Sequence, residues 1–179
     1  ELPLSEPLFR EDFDAATTEK HFFSTAYRSI PGDPDTPMYY LTGGHVEFVD
    51  GKITIGIGDK GGRFTVGQTV QEKDTTAAGV EPNGIFDLSK PYKISLKVIG
   101  VSGTLSKKFQ VYVDNNTTNS DKSFHGSASK VYEKKLEDFT ENEEVVISLS
   151  VGTAHSFIQV RVESGGYITF DDLVIEYIE

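Results

Sequence analysis

Two adjacent carboxylates interrupt the most strand-like run of the chain. The segment Tyr167-Ile168-Thr169-Phe170-Asp171-Asp172-Leu173-Val174-Ile175-Glu176-Tyr177-Ile178 is rich in β-branched and aromatic side chains, yet Asp171 and Asp172 stand at its centre. Near the other terminus, Phe9-Arg10-Glu11-Asp12-Phe13-Asp14 repeats the arrangement. Carboxylates rarely enter a hydrophobic strand without a partner, and a Ca²⁺ ion bound by several oxygens is one such partner. An acidic first strand meeting an acidic last strand predicts a two-sheet sandwich closed by a structural Ca²⁺. Glu11 or Asp12 with Asp172 are the expected ligands, completed by backbone carbonyls. The plainer alternative is that alternate carboxylates face water.

The remaining periodicity is almost all β. Val46–Val49 and Lys52–Ile57 flank Asp50-Gly51, a strong hairpin signal. Arg63–Val66, Tyr92–Ile99, Lys108–Val113, Val145–Val151, Phe157–Glu163 and Tyr167–Ile178 follow, separated by Gly, Pro, Asn and Asp. Apolar residues alternate with polar neighbours through Leu96-Lys97-Val98 and Phe109–Val113, as half-buried strands require. Thr17–Phe23 reads as one or two helical turns capped by Thr17 or Thr18. No helix long enough for a βαβ crossover intervenes, so the pattern predicts an all-β, antiparallel two-sheet β-sandwich of the jelly-roll type. Two long loops stand out: Ser29–Pro37 with three prolines, and the Asn-, Thr- and Ser-rich Asp114–Lys130. Loops of such length are more often functional than accidental.

A length of 179 residues fits one domain with a sizeable core. Residues 1–7 read as a linker remnant of a longer protein, and residues 8–179 as the single module. Cysteine is absent, so disulfides contribute nothing. No apolar run approaches the ~20 residues that span a bilayer, which argues against a membrane partner. The net charge of −11 argues against nucleic acid. That charge is uneven: residues 1–60 carry −6, residues 61–130 carry +3, and residues 131–179 carry −8. An anionic ligand is therefore expected at the middle third, where screening over ~8 Å lets a local patch act despite the total.

Several catalytic patterns fail on context. Gly56-Ile57-Gly58-Asp59-Lys60-Gly61 matches G-x-G-x-x-G, but a dinucleotide site needs a helix next. Here Gly62-Arg63-Phe64-Thr65-Val66 returns as a strand, so the match reads as a hairpin turn. Asp114–Asn119 opens like a calcium loop, yet its twelfth position is His125 rather than Glu. No nucleophile elbow occurs, and His21, His45, His125 and His155 are scattered singly. No carboxylate pair has a catalytic spacing, so the chain is not expected to be an enzyme.

What remains is a polar recognition surface. Sugar rings are held by flat aromatic or guanidinium faces, and their hydroxyls by amide, hydroxyl and charged groups. Val113–Thr118, Ser123–Gly126 and Ser129–Tyr132 bring that mixture together. Arg63 and Arg161 add forked carboxylate donors from nearby strands. For Asn115 and Asn116 the alternative is turn-making, and for the arginines a surface ion pair.

At these residues a family resemblance emerges. Gly62–Thr69, Val111–Thr118, His125-Gly126 and Val151–Ser164 resemble non-catalytic β-sandwich modules appended to bacterial pectate lyases. Phe170-Asp171-Asp172-Leu173-Val174 is similar to the closing strand of carbohydrate-binding jelly rolls, whose late Asp often binds structural calcium. The resemblance implies a carbohydrate-binding module, monomeric and part of a larger secreted bacterial enzyme, that targets pectic, uronate-bearing polysaccharide. Arg63, Lys130 and Arg161 would meet uronate carboxylates, Asn115, Asn116 and His125 would bond hydroxyls, and Tyr132 would pack a sugar face. With no Trp as a stacking platform, a groove or a charged ligand is favoured over a flat crystalline surface. Two other readings stand beside it: a structural or adhesive sandwich without glycan binding, and a jelly-roll polysaccharide lyase. The R-S/T-E-L-R and Q-I/V-H motifs expected of jelly-roll alginate lyases do not occur.

Overall fold

The computed structural model describes residues 7–13, 22–23, 45–56, 62–66, 86–114, 128–154 and 156–178. Eleven strands form among them: β1 (Phe9–Glu11), β2 (Phe22–Phe23), β3 (His45–Val49), β4 (Lys52–Gly56), β5 (Gly62–Val66), β6 (Tyr92–Gly103), β7 (Lys108–Asp114), β8 (Ala128–Lys135), β9 (Glu143–Leu149), β10 (Phe157–Val162) and β11 (Gly166–Tyr177). A 3₁₀ turn, Leu136–Asp138, follows β8. No helix among the described residues is long and apolar enough to cross a membrane. The first sheet runs β3-β4-β11-β6-β9 with β1 added beside β11, and the second runs β2-β5-β10-β7-β8. Every strand pair among the described residues is antiparallel. The fold is the expected all-β, two-sheet sandwich.

The core lies between the sheets because each strand turns alternate residues inward. Ile53 and Ile55 of β4, Tyr92, Ile94, Leu96 and Val98 of β6, and Ile168, Phe170 and Ile175 of β11 face Phe64, Val66, Phe109, Val111, Val113, Ile158, Val160 and Val162 of the second sheet. Aromatic edges join the layers. Phe170 of β11 makes edge contacts with Phe13, Phe64 and Phe109 at centroid separations of 5.7, 6.1 and 6.4 Å, and Phe13 meets Phe64 at 5.6 Å. Phe13 is buried with φ 58°, a left-handed conformation unusual for a bulky residue that burial among these rings compensates.

The carboxylate doublet makes a bulge. Register along β11 and β6 passes from Asp171↔Lys97 to Val174↔Ser95, so three steps on β11 oppose two on β6. Asp172 takes up the extra residue at φ 54°, which Asp tolerates better than most side chains. The bulge restores Leu173 to the core, three residues after Phe170. The same point divides one edge of β11: β4 pairs with Tyr167–Phe170, and β1 pairs with Leu173–Ile175. First and last strands therefore meet, as the acidic pattern predicts.

The β3–β4 hairpin turns at Asp50 and Gly51 with φ of 53° and 73°, the two positive angles of a type I′ turn. Four expectations need correction or limits. The hairpin expected at Gly56–Gly61 does not pair β4 with β5, which lie in different sheets, and residues 57–61 lie outside the described residues. Gly56 is needed where it stands, since a Cβ there would lie 2.2 Å from the Gly166 carbonyl oxygen. Phe22 and Phe23, placed in a helical turn, form a short strand against β5, because pairing outweighs weak local propensity. The end of the loop expected to reach Lys130 is the start of β8. Residues 1–6, 14–21 and the proline-rich Ser29–Pro37 lie outside the described residues.

Because Phe170 touches three rings from other segments, Phe170→Ala is expected to cost about 3–5 kcal/mol and to lower Tm by roughly 10 °C. Val146→Ser, on the exposed side of β9, is expected to stay within about 0.5 kcal/mol of the parent. Urea denaturation of the two variants checks the contrast.

Candidate functional site

The second sheet has an outer face that its core pattern leaves to polar residues. Val111 and Val113 point inward, so Gln110 and Tyr112 point outward. The register sets Arg161 of β10 beside Gln110 of β7, and Gln110 beside Glu133 of β8. The next rung sets Gln159 beside Tyr112 and Tyr112 beside Lys130. Strand β10 is buried on both sides at Phe157 and Gln159, so the open part of the face is centred on Arg161 and extends across β7 to β8.

A bulge makes this grouping possible. Lys130 and Glu133 are three residues apart and would point to opposite faces of a regular strand. The register of β7 with β8 shifts between Val111↔Tyr132 and Tyr112↔Lys130, leaving Val131 as the extra residue. Lys130 and Glu133 thereby share the outer face. Tyr132 instead stands opposite inward-facing Val111 and packs its edge on Phe109 at 6.1 Å. The expected sugar-stacking role of Tyr132 therefore does not fit its placement: the ring is part of the core margin.

The outer face is a continuous polar network. The Arg161 guanidinium lies 5.2 Å from the centre of the Tyr112 ring, within range of a cation–π contact. The Tyr112 hydroxyl donates to Gln110 Oε1 at 3.5 Å, and Gln110 Nε2 donates to Glu133 Oε2 at 2.6 Å. Lys130 Nζ donates to the same carboxylate oxygen at 2.9 Å, while Lys108 Nζ approaches Glu133 Oε1 at 3.5 Å. The bond from Lys130, then that from Gln110, holds the Glu133 carboxyl down at about 2. The reciprocal bond raises the Lys130 ammonium. At neutral pH the face thus carries an ionised carboxylate ringed by two ammonium groups and an amide, with a stacked guanidinium beside it.

Of the candidate binding residues, the structure brings Lys130 and Arg161 to one face. Arg63 is the register partner of Arg161 in β5, and its side chain lies outside the described residues. Asn115, Asn116 and His125 also lie outside them. Tyr112, Gln110, Glu133 and Lys108 join the site without having been singled out in the sequence. Strand alternation about Val111 was a signal for the first two. Nothing in the sequence marks the β8 bulge that brings in Glu133.

At the β1–β11 junction, Asp12 and Asp172 are exposed and Asp171 is half-buried. Burial raises the Asp171 carboxyl above its ordinary value; the Asp172 backbone N–H, donating to its Oδ1 at 2.8 Å, and Lys52 oppose that rise, while the charges of Asp172 and Asp12 add to it. The three acids therefore share one electrostatic neighbourhood. Among the described residues, no three His, Cys, Asp or Glu side chains gather closely enough to hold a metal ion. The Glu11 side chain is not among those described.

No family model matches the chain, and no curated protein matches it in sequence. Similarity is found among solved structures. The K3 cleaved adhesin domain of Lys-gingipain from Porphyromonas gingivalis W83 is 12% identical, with a TM-score of 0.52 over 96% of this chain and 99% of that one. The CBM22-1–GH10 modules of Clostridium thermocellum xylanase 10B, complexed with xylohexaose, are 13% identical, with a TM-score of 0.51 over 78% of this chain and 25% of that one. The chain thus spans about a quarter of that longer xylanase. A family 29 carbohydrate-binding module is 14% identical, with a TM-score of 0.46 over 87% of this chain and 86% of that one. The likeness is one of fold: the chain has a β-sandwich of the kind found in carbohydrate-binding modules and in an adhesin domain.

Removing the Lys130 ammonium is expected to move the Glu133 midpoint up from about 2 toward 4.5. A carboxyl depressed on folding stabilises the fold above its unfolded value and loses that contribution as pH falls through its folded value. The Glu133 contribution should accordingly disappear between about pH 4.5 and pH 2. Carboxyl ¹³C shifts followed by NMR in the parent and in Lys130→Ala check both statements.

Proposed function

We propose that the chain is a non-catalytic polysaccharide-binding module whose ligand lies across the outer face of the second sheet. The observation that carries this reading is the Arg161–Tyr112 stack beside the Gln110–Glu133–Lys130 network. One surface offers a flat cationic plane, amide and phenol hydrogen-bonding groups, and ammonium donors. This is the chemistry that grips sugar rings and their hydroxyls. The glycan proposed is uronate-bearing, as in pectin, because Arg161, Lys130 and Lys108 give a locally basic surface on a chain of charge −11. Glu133, held ionised well below neutral pH, is a poor proton acceptor for uronate elimination, which supports binding over turnover. The proposed setting is a secreted bacterial polysaccharide-degrading enzyme, with this module as its targeting part.

An adhesive sandwich without glycan binding is the second reading, favoured by the whole-length likeness to the gingipain adhesin domain. Gel retardation separates the two. On polygalacturonate, Arg161→Ala is expected to weaken affinity about tenfold or more, the size of one charge-assisted bond, and Tyr112→Ala is expected to weaken it as well. Retardation should diminish as salt rises, and no unsaturated product should form. Migration unaffected by any pectic or neutral polymer would support the adhesive reading.

We also propose a structural Ca²⁺ at the β1–β11 junction, with Asp12, Asp172 and Glu11 as candidate ligands. The burial that raises Asp171, with the like charges of Asp172 and Asp12 beside it, supports it, since a hard cation relieves buried and crowded carboxylates. A raised carboxyl destabilises the fold when ionised at neutral pH. Asp171→Asn should therefore raise Tm in chelator, by about 1–3 °C. The parent should gain several degrees on adding Ca²⁺ by mass action, but not on adding Zn²⁺, which prefers nitrogen and sulfur ligands. Identical melts with chelator and with Ca²⁺ would exclude the ion.

A further inference from the structure

Glu133 gathers three donors on the outer face of the second sheet. Its Oε2 accepts hydrogen bonds from Gln110 Nε2 at 2.6 Å and Lys130 Nζ at 2.9 Å, and Lys108 Nζ stands 3.5 Å from its Oε1. These donors are the ones an incoming uronate would use beside Arg161. The site is built: Gln110 is 92% buried, being 8% exposed, and its amide is oriented by the Tyr112 hydroxyl on one side and the Glu133 carboxylate on the other. The β8 bulge places Glu133 in this ring of donors. Its carboxylate also lies against the face from which a polyanion would approach.

We infer that Glu133 is a specificity-determining residue, an internal carboxylate that competes with ligand uronates for Lys108, Lys130 and Gln110. This rests on the glycan-binding reading above. With Glu133 in place, the charge of an acidic polymer is partly opposed by a fixed negative group that already engages Lys108, Lys130 and Gln110. Neutral sugars do not meet that opposition. The residue therefore restrains the preference for densely charged polymers and keeps affinity for sparsely charged ones. Replacing the carboxylate by its isosteric amide removes the competing charge and leaves the shape of the face.

The test compares the parent, Glu133→Gln, Glu144→Gln and Arg161→Ala by affinity electrophoresis on polygalacturonate and on a neutral galactan. Glu144 is exposed on β9 of the opposite sheet, so its substitution alters net charge equally without touching this face. Glu133→Gln should tighten binding to polygalacturonate about two- to fivefold, the size of an exposed charge pair, and so raise the preference for polygalacturonate over galactan. Glu144→Gln should change neither. An unchanged or weakened affinity of Glu133→Gln for polygalacturonate overturns the inference, and so does an equal gain with Glu144→Gln or on galactan. In those cases the glycan reading survives wherever the parent is retarded. Absence of retardation for every variant on both polymers overturns the two together.

Discussion

The contact on which this sandwich depends is the meeting of Phe170 with Phe13, Phe64 and Phe109. The ring belongs to β11, the central strand of the first sheet, and two of its three neighbours belong to the second sheet. Aromatic edges at such separations add to the area they bury, and here they fix how the layers sit on one another. Phe13 extends the same cluster to the first strand, where it accepts a left-handed backbone. The acids adjoining both rings are carried to one junction as a consequence of that packing.

Packing on the inner side dictates what the outer side presents. Once Phe109, Val111 and Val113 are committed to the core, Gln110 and Tyr112 must face outward, and the β10 register brings Arg161 to them. The bulge at Val131 is the one departure from strict alternation in this part of the sheet. It turns Tyr132 inward and gathers Lys130 with Glu133. The polar grouping on this face is thus a by-product of strand register refined by a single extra residue, and the strands hold the polar groups in place.

The sequence made the architecture legible but only part of the face. Alternation and the Asp50-Gly51 turn announced the strands and the first hairpin, because period-two patterns and paired positive φ angles have few other solutions. The acidic doublet correctly pointed to a meeting of first and last strands. Its immediate structural effect, a bulge at Asp172, was hidden because one inserted residue leaves no compositional trace. The same blindness explains Tyr132: it shares parity with Lys130, and only the β8 bulge sends the two to opposite sides. Phe22 and Phe23 read as helical in the sequence because two residues carry too little periodicity to outweigh a nearby cap signal. Glu133 is one acid among 28 in the sequence, and its importance comes from the three donors that pairing places around it.

The central claim is that ligand contacts the outer face of the β5-β10-β7-β8 surface through Arg161 and its neighbours. Backbone amide NMR during titration with an oligogalacturonate tests this most directly. The account predicts shifts concentrated at Gln110, Tyr112, Lys130, Glu133 and Arg161, with Lys93, Lys97 and Glu144 on the outer face of the first sheet unmoved. Shifts confined to the β6–β9 face, or none at ligand concentrations that saturate gel retardation, would contradict it.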